Sequence, residues 1–351
     1  MEDYRPTRLE IDLDAIEHNC RWILAEYPGY EFYMGVIKGN CYGLGTPIIE
    51  ALIRGGCNYL CVSMVEEALE VRALHPDIPI LILVPISEAA LPVARDANVC
   101  VTVATLEQAE QASAVSGLKV FIRANGGRDL FGGPRTRDGF EAVVRQIRQS
   151  DAVLQGLFLH LYDPEDEWST YAEYAVFEEM TSGIDLSAIP VVSTSNSLSM
   201  PRYENKAYSN ACRIGNIIYG IENDNPALKN CCTLLSEVTQ IVELAAGSSI
   251  SYGNAYTAVG ADQLIGVIPI GFGDGFAKVN IGRDVFIRGR RYKVAAVTMD
   301  ITLVVVDDSI IEGDEVQLIR DTRHLDEIAE HNHGVAEESI CLLNKRVPRR
   351  Y

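Results

Sequence analysis

One lysine, Lys38, stands where a short apolar run gives way to a glycine-rich segment. The run before it, residues 32–37, has the composition of a strand buried on both faces. Burying an ammonium group is costly, so a lysine at the end of such a strand has a partner or a lowered pKa, and a neutral amine reacts with aldehydes. The glycines of residues 39–45 let backbone N–H groups approach a phosphate. The segment could therefore bind a phosphorylated aldehyde, namely pyridoxal phosphate. The alternative is that Lys38 is only a solvated lysine at the rim of a sheet.

Further polar residues stand at the ends of later apolar runs. His160 lies near the end of one run, Ser195, Asn196 and Ser197 follow another, and Arg213 begins a third. If these runs are parallel strands of one barrel, their carboxyl ends meet at the same mouth, where catalytic groups of such barrels lie. The sequence therefore predicts one site that contains an amine, an imidazole, hydroxyls and a guanidinium.

The elements that must position these side chains form a regular alternation. Eight apolar runs occur at residues 32–37, 59–64, 78–84, 99–103, 118–122, 154–161, 191–194 and 213–219. Segments with helical periodicity separate most of them, and strands that are apolar on both faces predict a parallel sheet. Eight such units predict an α/β fold with an N-terminal (β/α)8 TIM-type barrel. A doubly wound open sheet is the competing arrangement.

The pattern changes at about residue 234. Short apolar strands then follow one another, one of them at residues 250–258, with turns between them and no helical pattern before about residue 325. This predicts a C-terminal all-β domain. We expect a barrel of residues 1–228, whose first 13 residues form a strand that joins the second domain, and a β domain of residues 229–351.

The composition excludes several classes of protein. The chain has 351 residues and is 48% hydrophobic, which excludes a disordered or fibrous protein. Its 30 basic and 49 acidic residues give a net charge of −19, which argues against nucleic-acid and membrane partners. Nine irregularly spaced cysteines and the lack of an apolar leader or span predict a cytoplasmic protein that acts on small molecules. His324, His331 and His333 are assigned to a surface helix end, and no metal is expected.

Several motifs follow one another along nearly the whole chain. They are Val36-Ile37-Lys38-Gly39-Asn40-Cys41-Tyr42-Gly43-Leu44-Gly45, Ser195-Asn196-Ser197, Arg213-Ile214-Gly215, Tyr219-Gly220, Ser251-Tyr252-Gly253, Ile268-Pro269-Ile270-Gly271-Phe272-Gly273-Asp274-Gly275, Met299-Asp300 and Arg346-Val347-Pro348-Arg349. In type and order they are similar to the motifs of the alanine racemases, the fold-type III pyridoxal phosphate enzymes.

The resemblance implies a role for each matching residue. Lys38 would bind the cofactor aldehyde and act as one base, and Tyr252 from a partner subunit would be the base on the opposite face of the substrate. A homodimer with shared active sites follows from that arrangement. The other implied contacts are Arg213 with the pyridine nitrogen, His160 with the cofactor ring, Tyr42, Asn196, Ser197, Gly215 and Asn216 at the phosphate, and Met299 and Asp300 at the substrate.

The chain departs from the family pattern at five pocket positions. Arg123 stands where the family has a lysine that is often carbamylated, and Leu130 replaces the arginine that contacts the substrate. Arg128 is close enough in the loop to replace that arginine, or the carboxylate is held in another way. Lys345 replaces a pocket tyrosine and would contact the phosphate or a polar substrate, and Phe272 and Lys278 replace the usual tyrosine and arginine of the entrance.

These departures leave the substrate open. Alanine is the family substrate, serine is the nearest alternative, and an acidic amino acid is a further one. Two other functions share the fold type: a pyridoxal phosphate-binding protein with weak or altered activity, and an amino-acid decarboxylase. The Ser251-Tyr252-Gly253 motif and Arg213 favour the racemase over the decarboxylase.

Overall fold

The computed structural model describes residues 4–127, 132–221 and 225–351. The chain divides into two compact units. The first, here called the barrel unit, comprises Glu17–Cys41 and Ile49–Ile218. The second, here called the β unit, comprises the described parts of Met1–Ile16, Tyr42–Ile48 and Tyr219–Tyr351. Each unit has its own sheet.

The barrel unit is built on eight parallel strands, and the predicted (β/α)8 barrel is confirmed. After β1 (Arg8–Ile11), which belongs to the β unit, the barrel strands are β2 (Phe32–Val36), β3 (Tyr59–Val62), β4 (Ile80–Ile82), β5 (Val101–Val103), β6 (Lys119–Ala124), β7 (Val153–Leu159), β8 (Val191–Asn196) and β9 (Ala211–Ile214). They are ordered β4-β3-β2-β9-β8-β7-β6-β5. A parallel bridge between Leu81 and Cys100 joins the two ends of this row, so the sheet nearly closes on itself.

Helices alternate with the barrel strands. Their ranges are Leu13–Glu26, Ile48–Arg54, Val65–Leu74, Leu91–Asp96, Leu106–Ser113, Arg137–Arg148 and Glu167–Thr181, with 3-10 turns at Glu88–Ala90, Leu186–Ala188 and Asn216–Tyr219. The helix Arg137–Arg148 shows why they form: its buried Phe140, Val143, Val144 and Ile147 recur at helical spacing, and the hydroxyl of Thr136 caps its first turn. None of the helices in the described residues is long and apolar enough to span a membrane.

The last barrel strand differs from the sequence prediction. The apolar run 213–219 was expected to be one strand, but β9 ends at Ile214 and a 3-10 turn follows. The N–H of Gly215 donates to Ser197 Oγ at 2.8 Å and the N–H of Ile218 donates back to the Gly215 carbonyl at 2.9 Å. A buried strand and a buried helical turn both give continuous apolar runs, so periodicity could not separate them.

The β unit contains a nine-stranded sheet. Its strands are β1, β10 (Cys232–Glu237), β11 (Gln240–Leu244), β14 (Gln263–Ile268), β15 (Asp284–Ile287), β16 (Arg290–Val297), β17 (Thr302–Val306), β18 (Glu315–Ile319) and β19 (Arg349–Arg350), and a hairpin is formed by β12 (Ser249–Ile250) and β13 (Tyr256–Thr257). Strand β1 pairs antiparallel with β10. Two helices, Thr322–Asn332 and Glu338–Cys341, and 3-10 turns at Phe272–Asp274 and Lys278–Asn280 complete the unit.

The hairpin corrects a second prediction. Residues 250–258 were expected to form one strand, but the chain reverses within them, and Ser251, Gly253 and Asn254 all have positive φ angles of 72°, 68° and 54°. Such backbone angles end a strand and build a turn. Tyr252 lies in that turn, at the tip of the hairpin.

Candidate active site

Lys38 lies at the carboxyl end of the barrel strands, two residues after β2 ends. Its side chain is exposed and makes no hydrogen bond or ion pair with any residue that the structure describes. The buried position that the sequence suggested is therefore wrong, because the strand ends at Val36 and the chain rises above the rim before Lys38. The amine is available to a ligand in the mouth of the barrel.

The chain after Lys38 turns in the left-handed sense. Gly39, Asn40, Cys41 and Tyr42 have φ angles of 64°, 54°, 54° and 56°. Left-handed backbone costs roughly 1–2 kcal/mol for each residue that has a side chain, so glycine and asparagine tolerate it better than cysteine and tyrosine. Such strain persists only where neighbouring groups hold it, and here it fixes the course of the chain beside the amine.

Glu67 holds that turn. One carboxylate oxygen accepts the backbone N–H groups of Gly39 at 2.6 Å and Asn40 at 3.3 Å. The other oxygen accepts the N–H groups of Ser63 at 2.9 Å and Met64 at 3.2 Å, in the loop after β3. One side chain thus ties the segment after Lys38 to the neighbouring strand end.

Arg213 is buried on β9, directly beside β2. Its guanidinium donates to the carbonyl of Ser193 at 2.9 Å, to Ser193 Oγ at 2.6 Å and to the carbonyl of Leu159 at 2.7 Å. These bonds fix the plane of the group. Burial lowers the pKa of Arg213 to about 10, so it remains a cation at neutral pH.

Arg123 is a second buried cation of the barrel unit, with 8% of its surface exposed. Its Cζ atom lies 5.7 Å from the centre of the Phe158 ring, and the Cζ atom of Arg213 lies 5.1 Å from the same ring. Both distances are within the range of cation–π attraction. Two positive charges beside one ring make this part of the barrel wall strongly positive, so it attracts an anion.

His160 lies at this mouth, just after β7. Water reaches part of the surface of His160, and the surrounding protein atoms desolvate the rest. This desolvation, followed by the charges of Arg213, Arg123 and Lys38, lowers the pKa of His160 to about 3. The imidazole is therefore neutral at physiological pH. It can lie against the ring of a bound molecule without adding a fourth positive charge to those of Arg213, Arg123 and Lys38.

The loops after β8 and β9 are joined by Ser197, whose Oγ accepts the Gly215 N–H at 2.8 Å. Asn196 uses its amide oxygen to accept the N–H groups of Leu198 at 3.1 Å and Ser199 at 3.0 Å. Ser195 faces another way and accepts from the hydroxyl of Tyr30 at 2.9 Å. Among the predicted hydroxyls, that of Ser197 lies next to a backbone N–H, that of Gly215. A hydroxyl and a backbone N–H are groups that bind phosphate oxygens.

Apart from Asn216, which lies in the barrel unit, the remaining predicted residues that the structure describes lie in the β unit. Tyr42 is buried against Tyr219, with ring centres 5.0 Å apart, and Asn216 begins the 3-10 turn that ends at Tyr219. Lys345 is exposed, as is Lys278, whose ammonium lies 5.7 Å from the centre of the Phe272 ring. Arg128 and Leu130 lie outside the described residues.

A network of charges organises one face of the β unit. Asp274 is fully buried and pairs with Arg5 at 2.9 Å and Arg346 at 3.1 Å. Arg346 also binds Asp300 at 2.7 Å, and the carbonyl of Met299 accepts the N–H of Gly273 at 2.8 Å. The network joins the two motifs that carry Met299 and Asp300 on one side and Asp274 on the other.

Tyr252 extends from this unit at the tip of the hairpin, with 84% of its surface exposed. A tyrosine that extends so far from its own unit has its hydroxyl free to meet another molecule.

Two family models cover almost all of the chain. The alanine racemase N-terminal domain matches residues 11–223, and the alanine racemase C-terminal domain matches residues 231–351. The chain belongs to the alanine racemase family.

Individual relatives agree with this assignment. The alanine racemase of Streptococcus agalactiae serotype Ia is 30% identical, and the match covers 99% of both chains. The crystal structure of alanine racemase from E. faecalis is 28% identical with a TM-score of 0.89, over 99% of this chain and 98% of that one. The histidine racemase of Leuconostoc mesenteroides subsp. sake shares the fold at 22% identity, with a TM-score of 0.85 over 99% and 98% of the two chains.

Members of the alanine racemase family are isomerases that depend on pyridoxal phosphate, and this chain is a racemase of that kind. The residues present fit the cofactor: a free amine suits its aldehyde, the hydroxyl and N–H of Ser197 and Gly215 suit its phosphate, and buried cations suit its negative charge.

Sequence reasoning missed Glu67. Its one local signal is the position of a glutamate three residues after Met64, in the first turn of the helix Val65–Leu74, which is the spacing of a capping residue. That spacing accounts for its bonds to Ser63 and Met64. Its bonds to Gly39 and Asn40 depend on two strands being neighbours in the barrel.

Proposed function

We propose that this racemase interconverts the L and D forms of alanine or a related small or polar amino acid such as serine, with Lys38 and Tyr252 as the two proton-transfer groups. The observation that carries the proposal is that two side chains are exposed and available for proton transfer: the amine of Lys38 at the barrel mouth and the phenol of Tyr252 at the tip of the hairpin. Racemisation needs two such groups, because a single one returns the proton to the face it came from.

Each described residue at the mouth has a task in this proposal. When bound, pyridoxal phosphate withdraws electrons from the substrate Cα and makes its proton removable. Lys38 Nζ takes or returns the proton on one face, and Tyr252 Oη does so on the other. Arg213, held in its plane by Ser193 and Leu159, donates to the pyridine nitrogen and keeps it unprotonated, which suits proton transfer alone.

The remaining groups hold the cofactor and the substrate. Tyr42, Asn196, Ser197, Gly215, Asn216 and Lys345 are the proposed phosphate contacts, and His160 lies against the ring. The N–H of Met299, the side chain of Asp300 and Arg128 are the proposed contacts of the substrate.

The second base is proposed to come from a partner subunit. Tyr252 belongs to the β unit and Lys38 to the barrel unit, and an exposed hairpin tip is suited to enter a neighbouring molecule. A homodimer, in which each protomer lends its Tyr252 to the other, follows from this arrangement.

The substrate preference is proposed from the pocket residues that differ from the family. Arg123 adds a buried cation and Lys345 replaces a phenol with an ammonium, so the pocket is more positive than that of the family pattern. A hydroxyl on the substrate side chain is better accommodated there than in an apolar pocket. Serine is therefore the first alternative to alanine.

The direct test incubates the protein with pyridoxal phosphate and single L-amino acids in deuterated water. We expect loss of the α-proton signal together with formation of the D form for alanine or serine, measured by NMR and by chiral chromatography. Deuterium exchange without inversion would contradict the two-base mechanism. No exchange with any amino acid would favour a cofactor-binding protein, and loss of CO₂ would favour a decarboxylase.

Two substitutions separate the proposed roles. Lys38→Ala should lose the visible absorbance of the bound cofactor, because the amine that holds its aldehyde is gone. Tyr252→Phe should keep that absorbance and reduce racemisation by at least 100-fold, roughly the contribution of a positioned base. Tyr171→Phe, which removes another exposed phenol, is the matched control and should leave the rate unchanged. Full activity of Tyr252→Phe in both directions would overturn the assignment.

A further inference from the structure

A small cavity lies inside the β unit. Its volume is about 70 Å³, several times the roughly 10–15 Å³ of such space that one water needs. Arg283, Phe276, Asn332 and Glu338 are among the side chains that line it. The catalytic proposal uses none of these residues.

Arg283 is the unusual member of this wall. Only 4% of its surface is exposed, and its Nη1 donates to the carbonyl of Leu318 at 2.9 Å. Its Nε is buried and has no hydrogen-bond partner among the described residues, and Nη2 makes no hydrogen bond to them either. The guanidinium lies over the Phe276 ring, with its Cζ 4.8 Å from the ring centre.

No carboxylate of the described residues forms an ion pair with Arg283. Its sequence neighbour Asp284 is bound to Arg291 at 3.2 Å and to Lys293 at 2.9 Å. Glu338 lines the cavity but is exposed, and it is not within ion-pair distance of the guanidinium. A buried cation without a counter-charge is costly, and burial lowers the pKa of Arg283 to about 9.

We infer that this cavity is a binding site for a small monovalent anion, a short carboxylate or a halide, held by Nε and Nη2 of Arg283. These two N–H groups form one edge of the planar guanidinium, the edge that binds carboxylates in a bidentate manner. The cavity gives the anion room, and Arg283 provides the charge that the surrounding residues leave unbalanced.

Asn332 provides a further polar contact. Its Oδ1 is buried without a hydrogen-bond partner among the described residues. Turning the amide about its last bond exchanges Oδ1 and Nδ2, so the same position can offer an N–H donor to an anion. Asn332 can therefore offer either a hydrogen-bond acceptor or a hydrogen-bond donor to a molecule in the cavity.

The first test locates the anion in crystals of the full-length protein soaked in sodium bromide. We expect an anomalous bromide peak within hydrogen-bond distance of Arg283 Nε or Nη2. Added acetate should remove the peak if the site prefers a carboxylate, and should leave it if the site prefers a halide. No peak at Arg283, with or without acetate present, would overturn the inference.

The second test measures the unfolding midpoint of the full-length protein as bromide or acetate replaces a bulky anion at constant ionic strength. We expect a saturating rise of roughly 2 °C for the parent protein. Arg283→Gln keeps a donor for Leu318 but removes the charge, and it should abolish the rise. Arg288→Gln, a change at an exposed arginine that pairs with Asp314, should retain it. An equal rise in Arg283→Gln would overturn the inference, and if that variant does not fold, the crystallographic result decides.

Discussion

His324 shows how far the environment of a single residue can depart from its sequence context. Three histidines within ten residues were assigned to an exposed helix end, yet His324 is 2% exposed. Its Nδ1 accepts the N–H of Arg320 at 3.2 Å, which leaves Nε2 to donate to the carbonyl of Asp284 at 3.2 Å. The bond from Arg320 requires the neutral ring, because Nδ1 accepts only when it carries no proton, and burial followed by the charge of Arg283 lowers the pKa of His324 to about 4.

This pKa predicts a pH dependence of stability. The pKa of His324 in the folded protein lies below the ordinary value of 6.5. At pH values between about 4 and 6.5 the unfolded chain therefore binds more protons than the folded one. The free energy of unfolding should therefore fall as the pH drops from about 6.5 toward 4, by roughly 2 kcal/mol from this residue. Urea denaturation at a series of pH values measures it.

His324→Asn should flatten that slope, because asparagine offers an acceptor near Nδ1 and takes up no proton. His331→Gln, an exposed position on the same helix, is the control and should keep the slope. A pH profile that is the same in His324→Asn and the parent protein would contradict the prediction.

At the scale of the elements, the site depends on how strand ends are joined. Glu67 joins the turn after β2 to the loop after β3, and the Ser197–Gly215 hydrogen bond joins the loops after β8 and β9. The left-handed turn that follows Lys38 is unfavourable for Cys41 and Tyr42 by itself. Contacts between neighbouring strand ends hold the backbone that follows the amine-bearing residue.

Glu67→Gln should therefore weaken cofactor binding. A charged acceptor of four backbone N–H groups becomes a neutral one, and the loss of about 1–2 kcal/mol corresponds to roughly tenfold weaker binding. Titration of the apoprotein with pyridoxal phosphate, followed by visible absorbance, measures the change.

Glu66→Gln, its exposed neighbour on the same helix, should bind the cofactor as the parent protein does. The prediction fails if the two variants have equal affinities. Equal unfolding free energies of the two variants would show that an observed difference in affinity arises at the turn and not from general destabilisation.

At the scale of the whole molecule, we propose that the chemistry is shared between two copies of the chain. Lys38 and Tyr252 belong to different units, and the tip of the hairpin is exposed. If the site is shared, each protomer supplies the amine of one site and the phenol of the other.

Mixed dimers test this arrangement. Lys38→Ala and Tyr252→Phe should each be inactive alone, but refolding them together should restore about a quarter of the parent activity, because half the dimers are mixed and one of their two sites is intact. Unmixed samples at the same total concentration are the control. If the mixture stays inactive although mixed dimers form, Tyr252 acts within its own chain or not at all.

Much of the architecture could be predicted from the sequence. Eight doubly apolar runs between helical segments predicted the barrel, and the change of pattern near residue 234 predicted a second, strand-rich domain, since both patterns reflect which faces of an element are buried. The motif around Lys38 likewise led to the proposed cofactor site, which stays a prediction. The strands predicted from apolar runs at residues 213–219 and 250–258 were wrong, because burial alone does not distinguish a strand from a tight turn.

Sequence alone thus determined which residue types are present and in which motifs they stand: an amine after the first barrel strand, a phenol in a Ser-Tyr-Gly motif and arginines at buried strands. Only the tertiary structure decided that Glu67 binds the turn beside the amine, that Arg123 and Arg213 lie against one phenylalanine ring, and that Arg283 faces a cavity without a counter-charge. Those contacts join residues tens to hundreds of positions apart. Their energies depend on distance and burial in space, which local sequence patterns do not record.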